Sequence, residues 1–477
     1  MAVDYDLVII GSSREGIYAA KNAVLLQARV ALVTQCDKLF LPDDTLFSQS
    51  FNQLGQLNNQ LGNSPFLKEK APEISLTQAS HWAKGIHSVM QSHNSLAKLA
   101  ALGVDVIAER GEFCRLPQLA FQVAKRKLRS RNFLLATGCN FGFPSTDYLT
   151  PRELWQRDLL ELGQSIIIVG SDPLALELAQ TLAQFKLQVK LVIEQRRILP
   201  LEDLDVALSL QAILEASGVE VYTDCQINQI KTIEGQKWVQ AGNYALTTDE
   251  IVVTNQRQPN VAGLNLAGVE VKCDRRRVYV NQKLQTTNPK IYACGDLIGG
   301  YSLANVANYE ASIVLKNTLF FPWYKTNYYS FPWGVLTQPN LARVGLTERQ
   351  AKQQYSEEIY VVQENFHNVL QAQITDRTMG WCKLLIRNDG EILGCSIIGD
   401  RAVELIDIIA LMIQHRIKLD SNPMRGLTSL SIPTISPSMA KILQDCCSNF
   451  YQQKLQRNPR LLNRLRDWFS IRKNWHD

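Results

Sequence analysis

Apolar residues recur along this 477-residue chain in two repeated layouts. The first runs from Asp4 to Thr34, DYDLVIIGSSREGIYAAKNAVLLQARVALVT: an apolar run, a glycine turn, apolar residues at helical spacing, then a second apolar run. Short continuous apolar runs suit buried strands and the 3.6-residue period suits a helix laid over them, so the pattern predicts a βαβ unit. The layout returns from Ser165 to Pro200, SIIIVGSDPLALELAQTLAQFKLQVKLVIEQRRILP. Residues 76–113 predict a helix followed by a strand. Lys290 to Ala311, KIYACGDLIGGYSLANVANYEA, predicts a strand ending at Ala293, a Gly-Asp turn and a helix over Leu303 to Lys316. Strand-and-turn patterns follow at Tyr328 to Tyr355 and at Gly390 to Ile406.

The turns carry the candidate chemistry. Gly295 lets backbone approach a ligand closely, and Asp296 sets a carboxylate beyond the strand's carboxyl end, where open α/β sheets hold ligands. A carboxylate there can accept hydrogen bonds from sugar hydroxyls, while the amino end of the following helix favours electron-rich or anionic groups. In the first unit Gly11 and Gly16 hold the first and third glycine positions of a dinucleotide fingerprint, with Ser13 at the second, where a pyrophosphate needs close approach. In the second unit Gly170 is kept, Asp172 stands at the second position and Ala175 at the third. A carboxylate at that second position is expected to repel a dianion unless it turns away.

Hydrophobic residues make up 46% of the chain and charged residues 20%, and no apolar run reaches membrane-spanning length, so the bulk is expected to be a soluble globular protein of about three domains. The first strand pattern begins by Leu7, leaving no room for a leader, and a cytoplasmic address is the expectation. Ten cysteines are scattered without a C-x-x-C pair, and nothing arranges them with histidines as a zinc site. They read as reduced thiols in core and surface positions. His81, His87 and His93 recur every six residues, which does not place them on one helical face.

The Lys290 to Ala311 stretch resembles the second FAD-contacting motif of the pyridine nucleotide-disulfide oxidoreductases, the family of glutathione reductase, dihydrolipoamide dehydrogenase and mercuric reductase. Other landmarks appear in family order. The resemblance implies an α/β fold with two Rossmann-like dinucleotide-binding domains, for FAD and NAD(P), and a C-terminal α+β dimerisation domain. The boundaries expected are 1–150 with 275–322 for FAD, 151–274 for NAD(P), 323–450 for dimerisation and 451–477 for a basic tail. It further implies FAD contacts at Gly11, Ser13, Gly16, Thr137, Gly138, Gly295 and Asp296, with Thr34 at the adenosine ribose position and Gly111 on a strand beside the adenine. For the second dinucleotide it implies Gly170, Asp172, Glu177 and Glu194. Arg257, Pro259 and Asn260 are what remains of the family's second Ala-Thr-Gly turn.

Three departures bear on mechanism. The family's helix after the second strand carries two redox-active cysteines, and here that region holds Cys36 alone, with the next cysteine at 114. A dithiol relay needs two sulfurs within disulfide reach, so disulfide reduction there is excluded. The family's acid-base histidine and glutamate fall on Ile432 and Pro437, neither of which moves a proton. Mercuric reductases carry a vicinal cysteine pair at the C-terminus, whereas Cys446 and Cys447 lie well inside the chain end.

Lys454 to Asp477 holds seven Lys or Arg and two Asp, a net +5 that equals the formal charge of the whole chain. Asn458 can cap a helix with Pro459 at its first position, placing Leu461, Leu462, Leu465, Trp468 and Phe469 on one face flanked by arginines. Such a helix suits an anionic membrane surface, giving a peripheral location, or an acidic protein; alternatively its apolar face packs on the chain's own interface domain. No motif points to nucleic acid, and no metal site is expected. Two functions are open: an FAD-dependent NAD(P)H oxidoreductase passing electrons to a small-molecule acceptor without a dithiol relay, or a non-catalytic FAD-binding homodimeric scaffold or sensor.

Overall fold

The structure is a computed structural model, and it describes residues 3–35, 44–62, 73–93, 95–115, 117–141, 147–157, 159–255, 257–300, 302–428 and 432–473. Cys36 lies outside these. The chain forms two compact units, one of Met1–Arg196 with Gly218–Thr326, the other of Arg197–Ser217 with Asn327–Asp477.

In the first unit a parallel sheet runs in the order Ile291–Ala293, Ser130–Leu135, Tyr5–Ile10, Val30–Val33, Asp105–Ile107. Its central strand is buried on both faces by simple alternation. Leu7 and Ile9 join one apolar cluster with Ile17, Ala20 and Val314, while Val8 and Ile10 join another with Phe113, Phe121 and Phe133. The first cluster receives the helices Arg14–Leu25 and Ala304–Leu319, which pack against each other. A second parallel sheet has the order Val219–Tyr222, Gln188–Val192, Ser165–Val169, Glu250–Val253, with the helix Pro173–Gln184 as its crossover. The short antiparallel pair Cys139–Phe141 and Arg257–Pro259 joins the exit from the first sheet to the return from the second.

Both predicted βαβ units are therefore present, but residues 76–113 hold two helices where one was expected. Leu76–His93 ends and Leu96–Ala101 begins anew, because the Ser95 side chain accepts from the Lys98 amide and caps the second helix.

The second unit is built on an antiparallel sheet of Trp333–Val335, Asn340–Gly345, Ile392–Gly399, Trp381–Arg387 and Ile359–Asn365. The helices Ala402–Gln414 and Lys441–Gln456 supply Ile406, Ile409, Leu443 and Phe450 to its core. Ile432, at the family's histidine position, joins that core, as do Cys382, Cys395, Cys446 and Cys447. Burial holds the Cys447 thiol up at about 12, so the vicinal pair acts as apolar filling. The segment Arg197–Ser217 is fixed to this unit by charge. Buried Lys383 Nζ reaches Asp203 at 3.2 Å and Asp205 at 2.7 Å, and Arg343 reaches Glu202 at 2.7 Å. The helix Lys441–Gln456 runs through the boundary drawn at residue 450, and a separate helix, Pro459–Lys473, follows it.

Candidate functional site

The first crossover brings three turns together at the carboxyl end of the sheet. The Gly11 amide donates to Val33 at 2.8 Å, and with φ +108° this residue lies so close to the neighbouring strand end that a Cβ would sit 2.1 Å from the Ala136 carbonyl. A side chain there would push the Ala136-Thr137-Gly138 turn away. Gly16 packs as tightly on Gly11, a Cβ meeting its carbonyl at 2.5 Å. Ser13 caps the helix between them, its Oγ accepting from the Gly16 amide at 3.4 Å. From the third turn, the Gly295 amide donates to Glu310 at 2.7 Å, and Asp296 Oδ2 accepts from Ser302 at 2.8 Å. The Cys139 thiol donates to the Asp296 backbone carbonyl at 3.0 Å, and burial with the Asp296 charge holds that thiol protonated, its pKa up at about 12.

Around these turns lie buried polar atoms with no hydrogen-bond partner among the described residues. They are Ser12 Oγ, Thr137 Oγ1, Asn308 Oδ1 and Gln35 Nε2. Buried polar groups are nearly always paired, so open ones beside these tightly crossing turns fit a ligand rich in hydroxyl and phosphate oxygens. Gln35 was passed over in the sequence. It sits at φ 59°, its Oε1 accepts from the Gly111 amide at 3.3 Å, and it presents the open donor beside Thr34, which is itself buried.

Glu15 was also passed over. Its side chain is buried against Gly295, where a Cβ would meet the carboxylate at 2.4 Å. Burial, with smaller contributions from Asp296 and Glu310, pushes its carboxyl up to about 7 against a hydrogen bond from Ser13. The first turn thus holds a carboxyl that is partly neutral near physiological pH, beside the Gly295-Asp296 turn.

At the second crossover Gly170 again crosses tightly, a Cβ meeting Thr254 Oγ1 at 2.0 Å. Asp172, expected to repel a dianion unless it turns away, is engaged within the protein. Its Oδ1 accepts from the Ala175 amide at 2.8 Å as the cap of the helix Pro173–Gln184, and its Oδ2 accepts from Arg257 Nη2 at 2.9 Å. Asp172 therefore occupies an amide at the amino end of the helix, with its charge matched by a guanidinium. Glu177 is buried on the same helix, whereas Glu194 is exposed beyond the strand Gln188–Val192.

The helix Asp44–Gly62 follows the segment that holds Cys36 and carries rings. Phe47 and Phe51 pack on Trp155 at 4.9 and 5.2 Å between centroids, and Phe51 on Phe185 at 5.0 Å. Asn52 accepts from the Thr181 hydroxyl at 3.0 Å, tying this helix to Pro173–Gln184. Among the described residues no group of three or more His, Cys, Asp or Glu is placed to hold a metal, and no helix is long and apolar enough to cross a membrane.

Residues 5–311 match the family described as pyridine nucleotide-disulphide oxidoreductase, and residues 331–441 match its dimerisation domain. Mercuric reductase of Staphylococcus aureus is 28% identical over 445 residues, covering 87% of this chain and 78% of that protein. A dihydrolipoyl dehydrogenase of Bacillus subtilis (strain 168) is 25% identical over 480 residues, covering 92% and 98%. Among solved structures, LpdA from Mycobacterium tuberculosis superposes with a TM-score of 0.82 at 24% identity, covering 93% of this chain and 99% of that one. The HOCl-induced flavoprotein disulfide reductase RclA from Escherichia coli, as the Cu(II) complex of a mutant, gives 0.80 at 23% identity, covering 94% and 99%. At these identities the structural likeness establishes the fold.

Proposed function

The chain belongs to the pyridine nucleotide-disulphide oxidoreductase family, and we propose that it is an FAD-dependent NAD(P)H oxidoreductase that works without a dithiol relay. FAD and NAD(P)H are the family's cofactors. One observation carries the reading: the first unit's turns keep their tightly crossing glycines and open polar atoms, while the sequence after the second strand holds Cys36 alone and the helix Asp44–Gly62 packs Phe47 and Phe51 on Trp155. FAD, when bound, supplies the reversible uptake of a hydride. Gly11, Ser13, Gly16 and Gly295 admit its phosphates and polyol, Asp296, Ser12 and Thr137 accept or donate to their oxygens, and Gly138 lets the chain pass. Thr34, Gln35 and Gly111 frame the adenosine end. Gly170, Asp172, Glu177 and Glu194, with Arg257, would meet the second dinucleotide. With no proton-moving residue at Ile432 or Pro437, the acceptor is a small molecule that takes electrons from the flavin directly, such as a quinone, a dye or oxygen. The dimerisation domain makes a homodimer the expected assembly.

A second reading, a flavin-binding scaffold without turnover, is favoured by the carboxylates at both phosphate-facing turns, Glu15 and Asp172. Steady-state oxidation of NADH and NADPH with a quinone separates the two. Turnover that saturates with nucleotide supports the enzyme; flavin that stays oxidised in excess nucleotide supports the scaffold.

A further inference from the structure

We propose that the C-terminal helix Pro459–Lys473 seats the protein on an anionic lipid surface. The Asn458 side chain accepts from the Leu461 amide at 3.1 Å and starts the helix, which then buries none of its residues. At helical spacing Leu461, Leu462, Leu465, Trp468 and Phe469 form one stripe, with Arg464 on one flank, Arg466 and Lys473 on the other, and Arg472 closing it at the last turn. Trp468 is 49% exposed and Phe469 55%. Leu461, Leu462 and Leu465 are half-buried, and a helix whose aromatic end stands exposed beside cations has the arrangement of one lying in a lipid interface. There the rings enter the headgroup boundary and the arginines meet lipid phosphates. Fifteen residues span roughly 22 Å, too short to cross a bilayer, so the helix lies in the plane.

Charge selects this occupant. The last 24 residues carry all of the chain's formal +5, so everything before them is neutral on balance. A second copy meeting this helix across a two-fold axis would bring like-charged flanks together. A sheet of anionic headgroups instead matches both flanks at once.

The inference does not depend on the redox reading, and flavin content and dye reduction serve as independent controls in the same samples. The full-length flavoprotein is sedimented with vesicles of phosphatidylcholine alone and of an equimolar phosphatidylcholine–phosphatidylglycerol mixture. The expected result is binding to the mixed vesicles only, reversed by salt, with a blue shift of tryptophan emission. Arg464→Glu with Arg466→Glu, and separately Trp468→Glu with Phe469→Glu, should each lower the bound fraction about tenfold or more without changing flavin content. Absent binding to mixed vesicles at low salt overturns the proposal, as does equal binding to neutral vesicles or full binding by both variants. A Trp468→Glu, Phe469→Glu protein that falls from dimer to monomer would assign the stripe to a second copy. Binding to an acidic protein in place of vesicles would assign it there.

Discussion

Arg257 and Asp172, 85 positions apart in sequence, meet through a 2.9 Å charge-assisted hydrogen bond at the amino end of the second crossover helix. The pair holds a carboxylate on the Ala175 amide and neutralises it there. A dinucleotide pyrophosphate reaching that end competes with Asp172 for the amide and with its carboxylate for Arg257. Asp172→Gly frees both; glycine is tolerated at a helix cap, so the main cost in stability is Arg257 left without this carboxylate, about 1–3 kcal/mol. NAD(P)H should then bind roughly tenfold tighter or more, about 1.4 kcal/mol. Arg257→Ala does the reverse, leaving the carboxylate uncompensated and weakening binding by at least a similar factor. Stopped-flow reduction against NADH and NADPH concentration measures both. Equal affinities across the three proteins would contradict the competition.

Glu15 makes stability depend on pH. Its carboxyl is raised from the ordinary 4.5 to about 7, so between those values the folded chain holds a proton that the unfolded chain has released. Stability therefore falls as pH rises through that window and levels off above it, by about 3 kcal/mol in all. Glu15→Gln should abolish the slope, matching the parent near about pH 5 and exceeding it by about that amount near about pH 8. Denaturant midpoints at the two pH values check this. Parallel curves would mean that the carboxyl ionises without cost.

Asp296 should be needed for flavin retention. Its side chain rests on the Ser302 hydroxyl and projects from a turn whose Gly295 amide is already taken by Glu310, so backbone cannot replace it. Asp296→Ala is expected to purify with little or no FAD while keeping its fold. Stoichiometric flavin in that variant, by absorbance after denaturation, would place the polyol's partner elsewhere.

The βαβ units, the Gly-Asp turn and the tail helix were legible because each is local: an apolar run such as Leu7–Ile10, a capping Asn458, a turn glycine. The Asp172–Arg257 pair was not, since the loop carrying Arg257 returns only after the second sheet is complete. Glu15 could have been found, because a carboxylate between Ser13 and Gly16 is foreign to a phosphate-binding turn. Reading the three glycine positions alone passes over it. Gln35 was hidden by its backbone, as its role depends on a φ of 59° that turns the side chain toward Gly111. The break at Ser95 was masked by apolar spacing that continues across it.

The central claim is that a flavin works here with no dithiol behind it. Anaerobic titration of the purified protein with NADH or NADPH, followed through the visible spectrum, tests it directly. The yellow protein should bleach fully at about one hydride equivalent per FAD, with no long-wavelength thiolate-to-flavin charge-transfer band at any point. Uptake of a second equivalent with such a band, together with turnover of lipoamide or oxidised glutathione, would contradict the account.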